Sequence, residues 1–308
     1  MPMEAKNSDV RRFACTSCGK CCDLGPEMEL SEATELADQL VTSVIFKAHS
    51  IPLNERSERA LQWWREQGSR IPLRAAFQEK RRHLAQFASR RRSEKENGRE
   101  IYLTISAAVD DYGERGCPAL REGLCSIYER RPLTCRTVPA HYSRQPSVLL
   151  SYLDTFTATP GYECNTVSSP VILQGSTIVS PEVRNYRDRA VGVAKSDRRW
   201  KDHMLSLMDD AEVAERVGLP TYEAILENTN RGYATLLPMI AAWRVAENRG
   251  LISPTELREI CAKQLALLQN EIARSPSAKD LRGLIPLYEA GAAGRGRLEP
   301  AAIAPRIA

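Results

Sequence analysis

Residues 15–22 read CTSCGKCC, four thiols in eight positions. Packing alone does not call for sulfur at that density. The segment must be held by bonds the thiols make themselves: disulfides, thiol–disulfide exchange or metal coordination. The chain has nine cysteines, and eight of them precede residue 165: Cys15, Cys18, Cys21, Cys22, Cys117, Cys125, Cys135 and Cys164. The ninth, Cys261, lies in register with Leu257, Leu265 and Leu268 within ELREICAKQLALLQNEI and reads as a small buried apolar residue.

Compartment narrows the choice. The opening residues, MPMEAKNSDVRRF, carry no apolar stretch of the secretory kind. No run approaches the roughly 18 apolar residues a membrane span needs; the best stretch, YATLLPMIAAW, is short and contains Pro238. The expected location is the cytoplasm, with no membrane contact. Thiols stay reduced there, and disulfides are rare. Clustered cysteines then point to metal or redox chemistry rather than to structural bridges.

Spacing favours metal. A C-x-x-C step is short enough for both sulfurs to reach one ion while amide groups of the turn point at them, and Gly19 suits the left-handed backbone such a turn needs. Cys15, Cys18 and Cys21 repeat that step twice, as in the first part of a ferredoxin cluster motif, before Cys22 departs from it. Adjacent side chains diverge, so Cys22 is expected to face a second centre or to support the first from outside its ligands. Cys117, Cys125 and Cys135 lie in a stretch punctuated by Gly116, Pro118, Gly123, Pro132 and Pro139, on loops or element ends. Eight cysteines are the count for two tetrahedral sites.

Two longer patterns carry a resemblance. Phe13–Cys22 reads F-x-C-x-x-C-G-x-C-C, and Cys117–Pro139 reads C-x-x-L-x-x-x-x-C-x-I-Y-x-x-R-P-x-x-C-R-x-x-P. Together these resemble the YkgJ-type CxxCxxCC cysteine-cluster family, described as zinc- or iron-chelating. The resemblance implies that Cys15, Cys18, Cys21, Cys22, Cys117, Cys125, Cys135 and Cys164 form the metal-binding set, holding Zn2+ or a [4Fe-4S] cluster. It also brings an alternative, an S-adenosylmethionine-dependent protein lysine N-methylase of the flagellin N-methylase type. Against that alternative, the chain shows no glycine-rich strand-to-helix turn and no C-x3-C-x2-C spacing. A thiol-redox enzyme would want a thioredoxin-like βαβ context, which the first segment lacks. His141, six residues after Cys135, is a further candidate ligand.

Four thiolates around a divalent ion leave net negative charge, so neighbouring guanidinium groups would stabilise the site. Arg136 is the first candidate for that role, followed by Arg131 and Tyr128. The expected fold is mostly α with a small β component: a cysteine-rich metal-binding core of loops and short strands, plus a helical C-terminal part. The boundaries read as a metal-binding domain at 10–165 with a helical, Arg-rich insertion at about 42–99, a helical region at 166–290, and a disordered tail at 291–308. Ile101–Val109 and Val148–Thr157 read as strands. Ser31 reads as the start of a helix reaching about Leu40, and Ser253-Pro-Thr-Glu as the start of another. Lys80, Arg81, Arg82, Arg90, Arg91 and Arg92 make segment 80–92 a possible contact for an acidic protein or nucleic acid, although a net charge of +4 is weak support for it.

Overall fold

The structure, a computed structural model, describes residues 9–22, 25–66, 71–94, 97–110, 116–274, 281–294 and 306–307. Along the chain come β1 (Val10–Arg12), β2 (Glu27–Met28), α1 (Leu30–Glu35), β3 (Thr42–Pro52), α2 (Glu58–Glu66), α3 (Leu73–Phe87), β4 (Arg90–Glu94) and β5 (Arg99–Val109). The second cysteine run follows, with β6 (Leu120–Arg121), β7 (Leu124–Cys125), α4 (Leu133–Arg136) and α5 (Pro146–Thr157). After β8 (Val171–Gln174) and β9 (Thr177–Ile178), the remainder is mostly helical. It comprises α6 (Pro181–Ser196), α7 (Arg198–Met208), α8 (Ala211–Val217), α9 (Tyr222–Asn230), β10 (Thr235–Pro238), α10 (Ile240–Asn248), α11 (Pro254–Arg274), α12 (Ile285–Ala292) and β11 (Arg306–Ile307). The mostly α class with a small β component holds. No described helix is long and apolar enough to cross a membrane.

An antiparallel sheet of order β11-β10-β3-β5-β2, with β4 also on β5, organises the molecule. Alternation along β3 and β5 sends Val44, Phe46, Leu103, Ile105 and Ala107 to one face. There they join Trp200, Met204, Ile240, Trp243, Leu257, Cys261 and Tyr288 in one hydrophobic cluster. Residues before and after 165 therefore bury apolar surface together. Cys261 is fully buried in that cluster, as its helical register predicts. The opposite face meets α2 and α3 through Ile51, Tyr102, Phe77 and Leu84.

Several expectations need correction. The 42–99 insertion is helical only at α2 and α3. It opens on the eleven residues of β3, the sheet's most extensively paired strand with β5. Both faces of β3 are covered, so its apolar run lacks the strict alternation that marks a half-exposed strand. Val148–Thr157 is α5 rather than a strand. Pro146 fits its first turn, and Val148, Leu149, Leu150 and Leu153 are buried at helical spacing, which outweighs β-propensity. Helix α1 stops at Glu35, and its cap is Glu29, whose amide donates to Glu32 Oε2 at 3.3 Å. Arg90–Glu94 lies in a strand on β5, not on the α3 face. Of the expected tail, residues 295–305 and 308 lie outside the described residues, but Arg306 and Ile307 pair with Leu236 and Thr235. The start at Ser253 holds: its amide donates to Glu256 Oε2 at 2.6 Å, and its hydroxyl accepts from the Glu256 amide at 3.1 Å.

Candidate metal centre

Three backbone contacts bring the cysteines together. Ala14 and Asn165 form an antiparallel bridge, N to O at 2.9 and 3.1 Å, so Cys15 stands across from Cys164. Thr16 reinforces it by donating from Oγ1 to the Glu163 carbonyl at 2.7 Å. The Cys117 amide donates to the Cys22 carbonyl at 2.8 Å, tying the second run to the first. Cys125 faces Leu120 across the β6–β7 hairpin, whose turn uses positive φ at Glu122 (51°) and Gly123 (81°).

Gly19 permits the approach of the two runs. Its φ is +76°, and a Cβ there would stand 3.0 Å from the Gly123 carbonyl oxygen and 3.2 Å from Leu120 Cδ1. Ser17 also has positive φ, 60°, and the Cys22 amide closes a tight turn on the Gly19 carbonyl at 3.0 Å. Cys135 arrives on α4, which is pinned at both of its first residues. The Leu133 amide donates to Glu32 Oε1 at 2.9 Å, and Thr134 Oγ1 donates to the Glu27 carbonyl.

The thiols feel one another. Burial pushes Cys135 up to about 12, with further upward contributions from Cys117, Cys125 and Cys21 and relief from Arg131. Cys117 is raised by burial and then by Cys125, against the lowering effect of amides at Ala119 and Leu120 and of Arg121. Cys164 is raised by burial, then by Cys18, Cys21 and Cys15. Two overlapping groups emerge, one of Cys117, Cys125 and Cys135 and one of Cys15, Cys18 and Cys164, with Cys21 acting on both. Cys22 is half-buried between them through its carbonyl. All eight cysteines are free thiols. Among the described residues, no three His, Cys, Asp or Glu side chains already close on a single point as a finished ligand set.

The donor chemistry fits a cation that prefers sulfur. Mutual repulsion adds to the cost of ionising Cys117, Cys135 and Cys164, and a divalent ion reverses that cost. Amide groups are also aimed at sulfur: Ser17 N lies 3.4 Å from Cys15 Sγ, and the Ala119 and Leu120 amides face the Cys117 thiol. Such donors stabilise a thiolate.

The expected neighbours divide. Arg131 lies over the Tyr128 ring, 3.8 Å from its centroid, and is the guanidinium that acts on Cys135. Tyr128 is itself exposed. Arg136, although next to Cys135, directs its donors to the carbonyls of Arg131 (2.9 Å) and Glu129 and to Tyr186 Oη (3.2 Å). Arg121 acts on Cys117 and was not anticipated; only the hairpin register, absent from local spacing, reveals it. His141 stacks edge-on to Tyr152 with centroids 6.0 Å apart, and its electrostatic neighbours are Arg144 and Arg187 rather than a cysteine.

Residues 14–165 match the family model CxxCxxCC, a putative zinc- or iron-chelating domain. This part of the chain belongs to that family. The matched stretch begins and ends on the two residues of the Ala14–Asn165 bridge, so the CxxCxxCC domain closes on itself beside its first and last cysteines. None of the curated proteins and none of the solved structures matches the chain.

Proposed function

We propose that the CxxCxxCC domain chelates zinc or iron through Cys15, Cys18, Cys21, Cys22, Cys117, Cys125, Cys135 and Cys164. The observation that carries this reading is the 2.8 Å bond from the Cys117 amide to the Cys22 carbonyl, which joins two cysteine runs almost a hundred residues apart. Cys117, Cys125, Cys135 and Cys21 would hold the inner, more buried centre. Cys15, Cys18 and Cys164 would hold the outer one, with Cys22 beside them. The amides of Ser17, Ala119 and Leu120 favour the thiolate form, and Arg131 and Arg121 offset its charge. Bound zinc would tie the two runs together structurally, whereas an iron–sulfur cluster would add electron transfer. No observation favours the methylase alternative.

Purification without oxygen, followed by metal analysis and an absorption spectrum, tests the proposal. Brown protein absorbing near about 400 nm with iron assigns a cluster, and colourless protein with zinc assigns a thiolate zinc site. Protein that carries neither metal and binds neither when supplied overturns the reading.

A further inference from the structure

The first and last of the clustered thiols sit on a backbone register that admits a bond between them. β1 pairs with β8, and the Phe13 amide extends that ladder by donating to the Pro170 carbonyl at 3.2 Å. Ala14 and Asn165 then exchange both of their backbone bonds, which makes them a hydrogen-bonded pair of an antiparallel ladder. The next pair along, Cys15 and Cys164, therefore takes a non-hydrogen-bonded position, where facing Cα atoms stand about 4.5 Å apart and side chains come closest. Thr16 holds the register one step further through Oγ1 on the Glu163 carbonyl at 2.7 Å. A disulfide spans Cα separations of roughly 4.4–6.8 Å, so this backbone accepts one without rearrangement.

Access and activation favour the same pair. Of the nine cysteines, Cys15 is the exposed one. The Ser17 amide lies 3.4 Å from its sulfur and favours the thiolate, the form that attacks. Across the bridge, Asn165 Oδ1 accepts from the Val167 and Ser168 amides at 3.2 and 3.1 Å, and that turn fixes the segment that carries Cys164. Cys18 and Cys21 also act on Cys164, which makes them the competing partners. The backbone sets neither opposite it, because Ser17, at φ 60°, turns the chain out of register before Cys18.

We infer that Cys15 and Cys164 form a reversible disulfide by exchange with a small-molecule disulfide, and that this bond opens the outer metal centre. The Cys15 thiolate attacks one sulfur of the small disulfide, whose S–S bond breaks and releases one thiolate. Cys164, as thiolate, attacks the Cys15 sulfur of the mixed disulfide and expels the second. The protein thiols give up two electrons and two protons, and the small disulfide takes them up to leave as two thiols. Joined to each other, Cys15 and Cys164 no longer serve as ligands, and Cys18 and Cys22 alone remain on that side. Cys117, Cys125, Cys135 and Cys21 keep the inner centre. The effect on metal rests on the proposed chelation; the pairing of the thiols does not.

Incubating the full chain with glutathione disulfide, once loaded with zinc and once metal-free, tests it. Remaining thiols are blocked, the linkage is located by fragmentation mass spectrometry, and zinc is measured after desalting. The expected product is a Cys15–Cys164 bond in both samples, cleared by dithiothreitol, with loss of about half the zinc from the loaded one. In urea the preference for Cys164 is expected to vanish, because the bridge that aligns the pair is gone. Cys164→Ser should instead hold glutathione on Cys15, since the thiol that displaces it is missing. Linkage of Cys164 to Cys18 or Cys21, no linkage in the folded chain, or full zinc in the linked chain overturns the inference. A chain that forms the bond but takes up no metal upholds the pairing and contradicts the chelation.

Discussion

Single residues set both the approach of the cysteine runs and the response to acid. Gly19 combines a left-handed backbone with contact to Gly123, so Gly19→Ala is expected to cost roughly 1–2 kcal/mol in a denaturant titration. It should also lower metal content, because the two runs would be pushed apart. Burial holds His49, His83 and His141 at about 4. Each takes up a proton on unfolding between that value and its ordinary 6.5. Their contribution is therefore complete above about 6.5 and is lost as pH falls through about 4. Glu29, raised by burial to about 7, acts with the opposite sign, losing its contribution as pH rises through that value. Three histidines outweigh it across the acid limb. His83→Gln should flatten the fall in unfolding free energy between about pH 6.5 and 4, and an unchanged slope would contradict the assignment. At this scale the cysteines were legible because their spacing is written in the covalent chain. Arg131 was a candidate from the sequence, but that Arg121 acts on Cys117 while Arg136 turns to Tyr186 and nearby carbonyls was not legible, since it depends on where the hairpin and Tyr186 place those side chains.

Elements carry these residues by docking on one another through charge as well as apolar surface. Glu29, the cap of α1, forms a buried ion pair with Lys201 of α7, and Asp197 accepts from the Ser31 amide at 2.9 Å. Glu32 of the same α1 turn holds α4 and hence Cys135. Removing one partner strands a charge, so Lys201→Ala is expected to cost about 3–5 kcal/mol, while Glu29→Leu combined with Lys201→Met should cost far less. A double-mutant cycle by chemical denaturation reads the difference; additive losses would show that the pair is not coupled. Element type was legible where composition or a cap was clear, as in the β-rich run of β5 and the Ser253 start of α11. It failed at β3, because two-sided burial removes the alternation, and at α5, because Val, Leu, Tyr and Thr favour a strand until Leu149, Leu150 and Leu153 find a helical burial face.

Over the whole molecule, the CxxCxxCC domain and the later helices share one apolar cluster, and β10 from the later part enters the same sheet as β3. Trp243, fully buried there, donates from Nε1 to Thr34 Oγ1 at 2.9 Å across that boundary. Trp243→Ala is expected to cost roughly 3–5 kcal/mol, and helix content and tryptophan fluorescence should still be lost in one transition; two separated transitions would contradict a shared core. A split near residue 165 looked natural in the sequence because the clustered cysteines end there, but burial across it is invisible until the sheet is assembled. The account stands most directly on metal content per chain in wild type, Cys18→Ser and Cys125→Ser, prepared side by side without oxygen. It predicts zinc or iron in the wild type and a loss in both variants, because each run supplies sulfurs to the same region. Retention of full metal in either variant, or metal-free wild type after reconstitution, would contradict it.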